Sequence, residues 1–515
     1  MSRSGAQYSL LGVSYTEDAD LPTLDEDYRE SHEGEPLSLP RLLLLTCPSL
    51  GLQVFWFLLT SRGTPYLHSL DIPKSIVSLT WVTGPLFGAY AQPILGVLSD
   101  ESWSRLGKRK TFMACGALGA VTAQLALASV RDLTSAGGDD NTTGGPAGLA
   151  TQMLAVACVV ATTFSLQAYA VGVRALIVDS CPASQQFSAA AWAMRWNVLG
   201  NIVLSAVGVF LSQQPLSGND ASSRFGMLAV VSALCSLATV GLTCLFISEK
   251  QTELTKGRSE PLTDLLWSII SPNRLRSQWS RLPATSRRVC TVQLFAWAGW
   301  FPVLYYMSTR VDDIELYMER IHHTDDPVAL SSRARDTPET QGVSRPDLTT
   351  DQDAMQYSYL ATLAFAFGAA VSSIALSVLE QAKLSSATHL QRIWLASQCL
   401  LGYCMQLTWV AQTGAAAAAV VAVMGMTGPV TMWVPFALVS ADIAEVSAGT
   451  PEREVAWILG LHNMAISLPQ IGSTLVCAVL LALCKALDVT NSVAWVFRLA
   501  SIPVFYSAWL IFKLK

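Results

Sequence analysis

The chain has 515 residues, of which 51% are hydrophobic and only 14% are charged, and its formal net charge is −5. Soluble proteins average about 25% charged residues, so a soluble core could not bury this much apolar sequence, whereas a lipid bilayer could. The composition therefore excludes an ordinary soluble protein, and no basic run of the kind that binds nucleic acid stands out.

The first 41 residues differ in character from the rest of the chain. They contain nine acidic residues and lack the basic start and apolar core that a signal peptide needs. We therefore expect residues 1–41 to form a disordered cytosolic tail.

Long apolar runs follow the tail and recur to the end of the chain. A membrane-spanning helix needs about 20 apolar residues, and a backbone exposed to lipid must satisfy its own hydrogen bonds. Twelve runs meet this requirement: 42–61, 74–98, 111–130, 150–178, 189–211, 225–247, 290–308, 354–379, 390–411, 414–441, 455–483 and 493–513. The sequence thus predicts an all-α membrane protein with twelve transmembrane helices in two six-helix halves.

Lysine and arginine are concentrated in the connections after spans 2 and 6. Because basic loops stay in the cytosol, these connections and both chain termini are predicted to be cytosolic. The domains are then a first half (42–247), a basic linker (248–289) and a second half (290–515), with a long acid-rich loop at 309–353 on the opposite face. Asn141 lies in a glycosylation sequon on that opposite face.

The eleven cysteines form no CxxC motif and no cluster with histidine. Zinc and redox sites therefore have no support, and we expect neither a metal nor a cofactor. Most of the cysteines are interpreted as small apolar packing residues.

A polar segment between spans 2 and 3 has the pattern G-x3-D-x4-R-x-G-K-R-K. Glycine allows close helix approach, and a carboxylate at a helix end can pair with a base or with another helix N-terminus. We therefore predict a conformational latch, with gating roles for Gly96, Asp100, Gly107, Arg109 and Asp179. For Glu101, Lys108 and Lys110 a solvated basic anchor is the preferred interpretation.

This pattern resembles the loop between helices 2 and 3 in the major facilitator superfamily. Further segments are similar to the sucrose and α-glucoside transporters of its glycoside–pentoside–hexuronide family: "RALIVD" (174–179), "AWAMRWNVLGN" (191–201), "WAGWFP" (297–302), "VPFALVS" (434–440) and "GLHNMAISLPQ" (460–470). The segment "AWAMRWNVLGN" resembles the fungal members most. The resemblance implies a monomeric carrier that moves a sugar by alternating access between two halves, which are parallel repeats. The similar segments "RALIVD" and "FALVSAD" (436–442) would then be equivalent in the two halves.

A sugar site needs planar aromatic surfaces and groups that bind hydroxyls. Tryptophans within the spans are stacking candidates, and amides within the spans are hydroxyl-binding candidates, although packing and helix–helix hydrogen bonds are the ordinary roles of both. The candidates are Trp56, Trp81, Trp297, Trp300, Gln53, Gln167, Asn197, Asn201, Gln293 and Asn463.

Ionisable groups within spans are costly and suggest function. By resemblance, Arg174 contacts sugar or responds to proton binding, and Arg195 has a weaker case of the same kind. A structural arginine that reaches the cytosolic face is the alternative for Arg174.

The chain departs from its relatives where proton coupling is concerned. The resemblance implies an acid eleven residues before Arg174 or just before the Thr-Pro pair of span 1, but these positions hold Thr163 and Leu59. Threonine cannot exchange a proton near neutral pH, whereas His462 could, with a neutral histidine hydrogen-bonded between helices as the alternative. Thr163 itself is kept as a substrate-binding candidate.

Three functions are compatible with these patterns. The first is a proton-coupled sugar transporter, with a facilitative uniporter as its alternative. The second is a sugar sensor, and the third is a membrane enzyme, for which no catalytic motif is present. We expect the plasma membrane rather than the vacuolar membrane.

Overall fold

The computed structural model describes residues 36–514 except 103, 136–147, 183–184, 214–219, 250–270, 326–347, 382–386, 412, 448–454, 488 and 490. A helix lies at each of the twelve predicted spans, although α9 ends at Gln406, before the predicted end at 411. The helices are α1 Leu39–Ser69, α2 Lys74–Glu101, α3 Lys108–Ala128, α4 Leu149–Ser180, α5 Gln186–Ser212, α6 Asp220–Phe246, α7 Ala284–Asp325, α8 Leu348–Gln381, α9 Ala387–Gln406, α10 Gly414–Ser447, α11 Val455–Ala486 and α12 Ser492–Phe512. Among the described residues, eight helices are long and apolar enough to cross a membrane.

The predicted loop at 309–353 is shorter than expected. Helix α7 continues to Asp325 and α8 begins at Leu348, so both helices extend into the acid-rich segment. The apolar criterion ends a span at its first charges, although a helix can continue beyond the bilayer. The glycosylation candidate Asn141 and most of the acidic tail lie outside the described residues.

Helix α1 is irregular. It consists of the segments Leu39–Thr46 and Pro48–Leu58, a wide π-helical turn at Leu59–Gly63, and a last segment, Thr64–Ser69. Proline is tolerated at a helix start because its missing N–H would have no partner there. A single π turn inside an α-helix is uncommon and is often found at functional sites.

Small residues bring α3 and α4 into direct backbone contact. A Cβ atom on Gly116 would overlap the backbone of Tyr169, and one on Gly172 would overlap the backbone of Met113. In lipid, helices associate through such close packing because there is no hydrophobic driving force between them. The two glycines therefore fix the spacing of these two helices.

We call the side of the bundle where α2 joins α3 and α4 joins α5 the basic face. There, Ala89, Val178 and Ala190 of the first six helices share one buried cluster with Val434 and Leu459 of the last six. The indole Nε1 of Trp433 on α10 also donates to the carbonyl oxygen of Phe187 on α5, at 3.2 Å. The two halves are thus in contact at the basic face.

Candidate functional site

The gating residues predicted from the loop pattern meet around one buried arginine. Arg109 is 1% exposed and forms ion pairs with Asp100 and Asp179, the latter at 2.7 Å from Nε to Oδ2. Its Nη1 donates to Ser99 Oγ at 2.9 Å. One guanidinium thus ties the end of α2 to the end of α4, and Gly96 is buried on α2 one turn before Asp100.

Glu249, which the sequence patterns did not single out, completes this arrangement. Its carboxylate accepts hydrogen bonds from the backbone N–H groups of Arg109 (2.9 Å) and Lys110 (3.3 Å) at the first turn of α3. A negative charge is favourable at a helix N-terminus. Gly107 has φ = 107°, a backbone conformation that favours glycine, and a Cβ there would displace the carboxylate of Glu249.

Lys110 is a buried structural cation and not the solvated anchor that we expected. It is 6% exposed, and its Nζ donates to the carbonyl oxygens of Cys244, at 3.3 Å, and Ile247. These carbonyls lie at the end of α6, where a cation is favourable. Glu249 and Lys110 therefore join α3 and α6 reciprocally, and we call this pair the α3–α6 clamp.

Asp100 lies beyond the predicted span and is largely enclosed. Burial raises its pKa to about 6 from an ordinary 3.8, although the neighbouring Arg109 acts in the opposite direction. Its Oδ2 has no hydrogen-bond partner among the described residues. The carboxylate of Asp100 can therefore change its protonation state in a mildly acidic range.

Arg174 connects the two halves of the molecule. Its Nη1 on α4 donates to Oδ1 of Asn463 on α11 at 3.0 Å, and Nδ2 of Asn463 donates to the carbonyl oxygen of Gly88 on α2 at 2.8 Å. A further bond joins Asn463 to Ser467 at 3.3 Å. Asn463 thus bridges the halves and has the buried position of a structural amide, while Arg174 stays half-buried.

His462, next to this bridge, is almost completely enclosed. It is 3% exposed, and its Nε2 has no hydrogen-bond partner among the described residues. It lies close enough to Arg174 for their charges to interact. Protonation of His462 would therefore place a second positive charge beside the arginine.

Polar side chains line one face of α4 and one face of α11. Thr163, Gln167 and Arg174 have spacings of four and seven residues, so they share a face of α4 over about 16 Å. Asn463, Ser467, Gln470 and Thr474 likewise share a face of α11. Gln470 was missed from the sequence, although its spacing of three and four residues from other polar groups indicates it.

The two positions where the resemblance implies an acid hold uncharged side chains. Both side chains are buried and packed against their neighbours. Thr163 Oγ1 donates within its own helix to the carbonyl oxygen of Val159 (2.9 Å) and lies 3.3 Å from Thr83 Oγ1 on α2. Gln167 is buried and donates to the carbonyl oxygen of Thr163. Leu59 is 1% exposed in the core of the first half.

Three other candidates make contacts within the first half. Gln53 Nε2 on α1 donates to Asn201 Oδ1 on α5 at 3.0 Å. The guanidinium carbon of Arg195 lies 4.3 Å from the centroid of the Trp192 ring on the same helix. These contacts match the ordinary helix-packing roles, and sugar-binding or coupling roles for these residues stay predictions.

The tryptophans are mostly enclosed. Trp300 is 2% exposed, and its Nε1 donates to Thr431 Oγ1 at 3.1 Å, where the buried Gln398 also binds. Trp297 is 5% exposed, while Trp56 is half-buried. Trp81 is also buried, so in this conformation Trp56 is the most accessible of the four stacking candidates.

Within the described part of the chain, no group of three or more His, Cys, Asp or Glu side chains could hold a metal ion. The ion pairs of Arg109 lie at the basic face, and Arg174 lies at the bridge between the halves.

Comparisons with known proteins agree with this architecture. No protein-family model matches the sequence. The chain is 28% identical to the general α-glucoside permease of Schizosaccharomyces pombe, with 91% of this chain and 92% of the permease covered. It is 25% identical to a sucrose transport protein of Oryza sativa subsp. indica, with 84% and 85% covered.

Solved structures of transporters have the same fold. The xylose transporter XylE from E. coli matches with a TM-score of 0.58 at 12% identity, covering 92% of this chain and 97% of that one. The major facilitator superfamily transporter FucP matches with a TM-score of 0.54 at 14% identity, covering 92% and 98%. The predicted resemblance and the predicted fold class are confirmed. The chain therefore has the major facilitator fold and is related in sequence to the α-glucoside and sucrose transporters.

Proposed function

We propose that this protein moves sucrose or a related α-glucoside across a membrane by alternating access. The observation that carries the proposal is the similarity to an α-glucoside permease over nine-tenths of both chains. The polar faces of α4 and α11 add hydroxyl and amide groups of the kind that bind a sugar ring. The relatives are transporters, which also favours transport over a membrane enzyme.

The bridge between Arg174 and Asn463 fits such a cycle. Opening the basic face requires the halves to separate, and Arg174 must then exchange Asn463 for another partner. A sugar hydroxyl pair is suited to the planar fork of a guanidinium. Arg174 thus couples the closure of one face to the occupancy of the chamber.

Facilitated diffusion is the second candidate, and one observation favours it. Among the side chains that the structure describes, each Asp or Glu of the twelve helices lies within two turns of a helix end. Thr163 and Leu59 leave no membrane-embedded carboxylate at the positions implied by the relatives. Proton symport would then depend on His462 beside Arg174.

Uptake of radiolabelled sucrose and maltose into proteoliposomes tests the function. Uptake above that of protein-free vesicles supports transport, and its stimulation by an inward proton gradient supports symport over uniport. Measurable binding without uptake would instead indicate a sensor. Neither binding nor uptake of any α-glucoside would overturn the proposal.

Substitution of Thr163 by aspartate tests the missing proton site. If coupling was lost with the acid, Thr163→Asp should raise pH-driven sugar accumulation several-fold, because a carboxylate can carry a proton through the cycle. Thr163→Asn, which adds a neutral side chain of similar size, is the control. Equal accumulation by both variants would mean that this position does not determine coupling.

The remaining parts of the proposal concern placement and assembly. The protein would act as a monomer in the plasma membrane, with both termini and the basic face in the cytosol. The excess of arginine and lysine at that face supports this orientation. Labelling of cysteines on either side of α7 would test this orientation.

A further inference from the structure

A patch of arginines lies at the basic face where the linker enters the second half. A short helix, Pro272–Arg281, is followed after two residues by α7. Arg276 and Arg281 on the short helix and Arg287 in the first turn of α7 are all exposed. We call these three residues the arginine patch, and no Asp or Glu occurs between residues 265 and 311.

The short helix is fixed to the bundle by its other side. Leu275 and Trp279, four residues apart, pack against the buried cluster where the halves meet, and Leu282 is itself part of that cluster. An amphipathic helix so placed keeps its apolar stripe inward and its cations outward. The position of the arginine patch beside the bundle is therefore set by packing.

Helix stability accounts for Arg281, which lies in the last turn of the short helix, but it does not account for Arg287. Cations are unfavourable in the first turn of a helix, where Arg287 lies. The N-terminus of α7 already has an anionic partner, because Asp442 accepts from the backbone N–H of Ser286 at 2.8 Å and from its Oγ at 2.6 Å. Arg287 thus adds an exposed positive charge at a site that favours negative charge.

We propose that the arginine patch binds the headgroups of anionic phospholipids. The patch flanks the start of α7, just before the predicted span 290–308, where the lipid phosphates of that face are expected. Anionic lipids are concentrated in the cytoplasmic leaflet, and clustered basic residues next to a transmembrane helix attract them. A guanidinium can also bind a phosphate through two parallel hydrogen bonds, which suits a patch made only of arginine.

The inference depends on the proposed cytosolic placement of the basic face but not on the transported substrate. A free phosphorylated solute offers the same chemistry. The location at the bilayer surface favours the lipid, and the experiment separates the two sources.

The test uses the full-length protein reconstituted in vesicles of phosphatidylcholine with a small fraction of spin-labelled lipid. Electron paramagnetic resonance gives the protein-bound fraction of labelled phosphatidylserine relative to labelled phosphatidylcholine. We expect at least about threefold selectivity for phosphatidylserine at low salt, and its decline in about 0.5 M NaCl because salt screens exposed charges.

Three variants locate the effect. The triple variant Arg276→Gln, Arg281→Gln, Arg287→Gln should lose most of the selectivity, and the corresponding triple lysine variant should keep part of it. The double variant Arg105→Gln, Arg392→Gln removes two other exposed arginines and should bind as the wild type does.

Unchanged selectivity in the triple glutamine variant would overturn the proposal. So would displacement of labelled phosphatidylserine by millimolar inorganic phosphate, which would indicate a site for free anions. If the glutamine variant does not fold, selectivity of the wild type that is insensitive to salt would also refute it. Sugar uptake is measured separately, so failure of the proposed function leaves this test intact.

Discussion

At the scale of single residues, the contact between Arg174 and Asn463 is the most informative feature. The arginine belongs to the first half and the asparagine to the second, and their hydrogen bond of 3.0 Å joins the two halves. An arginine in a membrane-embedded helix is costly and is retained where it has a function. Its neighbours are polar but carry no negative charge among the described side chains.

We expect Arg174→Ala to lower sugar uptake at least tenfold while the protein still reaches the membrane. The substitution removes both the bond to Asn463 and the group available to the sugar. Uptake into proteoliposomes, normalised to the amount of inserted protein, measures the effect. Asn463→Ala is the comparison: a smaller loss than with Arg174→Ala indicates that Arg174 also contacts sugar. Normal uptake by the Arg174 variant would remove it from the site.

The raised pKa of Asp100 predicts that the stability of the folded protein depends on pH. Because its pKa is raised from 3.8 to about 6, the folded protein binds a proton more tightly than the unfolded chain does. The stability contributed by this proton is present below pH 4 and is lost as the pH rises through 6. Asn is uncharged at every pH, so Asp100→Asn should melt at a higher temperature than the wild type at pH 7.5.

The difference in melting temperature between Asp100→Asn and the wild type should shrink towards pH 4. Thermal unfolding in detergent, followed by intrinsic fluorescence at several pH values, measures it. A difference that does not change with pH would show that Asp100 keeps an ordinary pKa in the folded state.

At the scale of elements, the α3–α6 clamp joins two helices through the ends of their backbones. Glu249→Gln removes the negative charge from the N-terminus of α3, an interaction worth about 1 kcal/mol in comparable positions. We expect the melting temperature to fall by about 1 °C, because the entropy of unfolding grows with chain length. Arg105→Gln, an exposed charge change on the same face, should leave it unchanged. An equal melting temperature for Glu249→Gln and the wild type would contradict the clamp.

The helices and the contacts at their ends differ in how far the sequence could predict them. Hydropathy indicated the spans because the bilayer demands long apolar helices, and eight helices of the described residues are long and apolar enough to cross it. The partners of Arg109 were indicated by a local pattern between 96 and 110 and by an acid at the end of span 4. Glu249, in contrast, lies 140 residues from Arg109, and only tertiary packing brings the two together.

Lys110 was misinterpreted for a related reason. A lysine in a basic loop is normally solvated, and nothing local indicates that the end of α6 lies above it. The candidate site was likewise predicted only in part: Asn463 was found as an amide in a span, but its bridge to Gly88 and Arg174 depends on how the halves meet. The irregular turn in α1 has no hydropathy signal at all.

At the scale of the whole molecule, the twelve helices predict opposite locations for two loops. In a background without the eleven native cysteines, Arg276→Cys should react with a membrane-impermeant maleimide only from the cytosolic side, and Asp336→Cys only from the opposite side. An odd number of spans separates them. Labelling in sealed vesicles and in intact cells measures this. Reaction of both from one compartment would contradict the arrangement of α7.

The wide turn at Leu59–Gly63 also has a consequence for engineering and for comparing related chains. It accommodates one residue more than a regular turn, so the portions of α1 before and after it are about 100° out of phase. Deleting one residue there would restore a uniform spiral and swing Thr64 away from the indole Nε1 of Trp81, which now donates to it at 2.9 Å. The extra residue therefore sets which way the side chains after Gly63 face, while the side chains of Gln53 and Trp56 before it keep their directions.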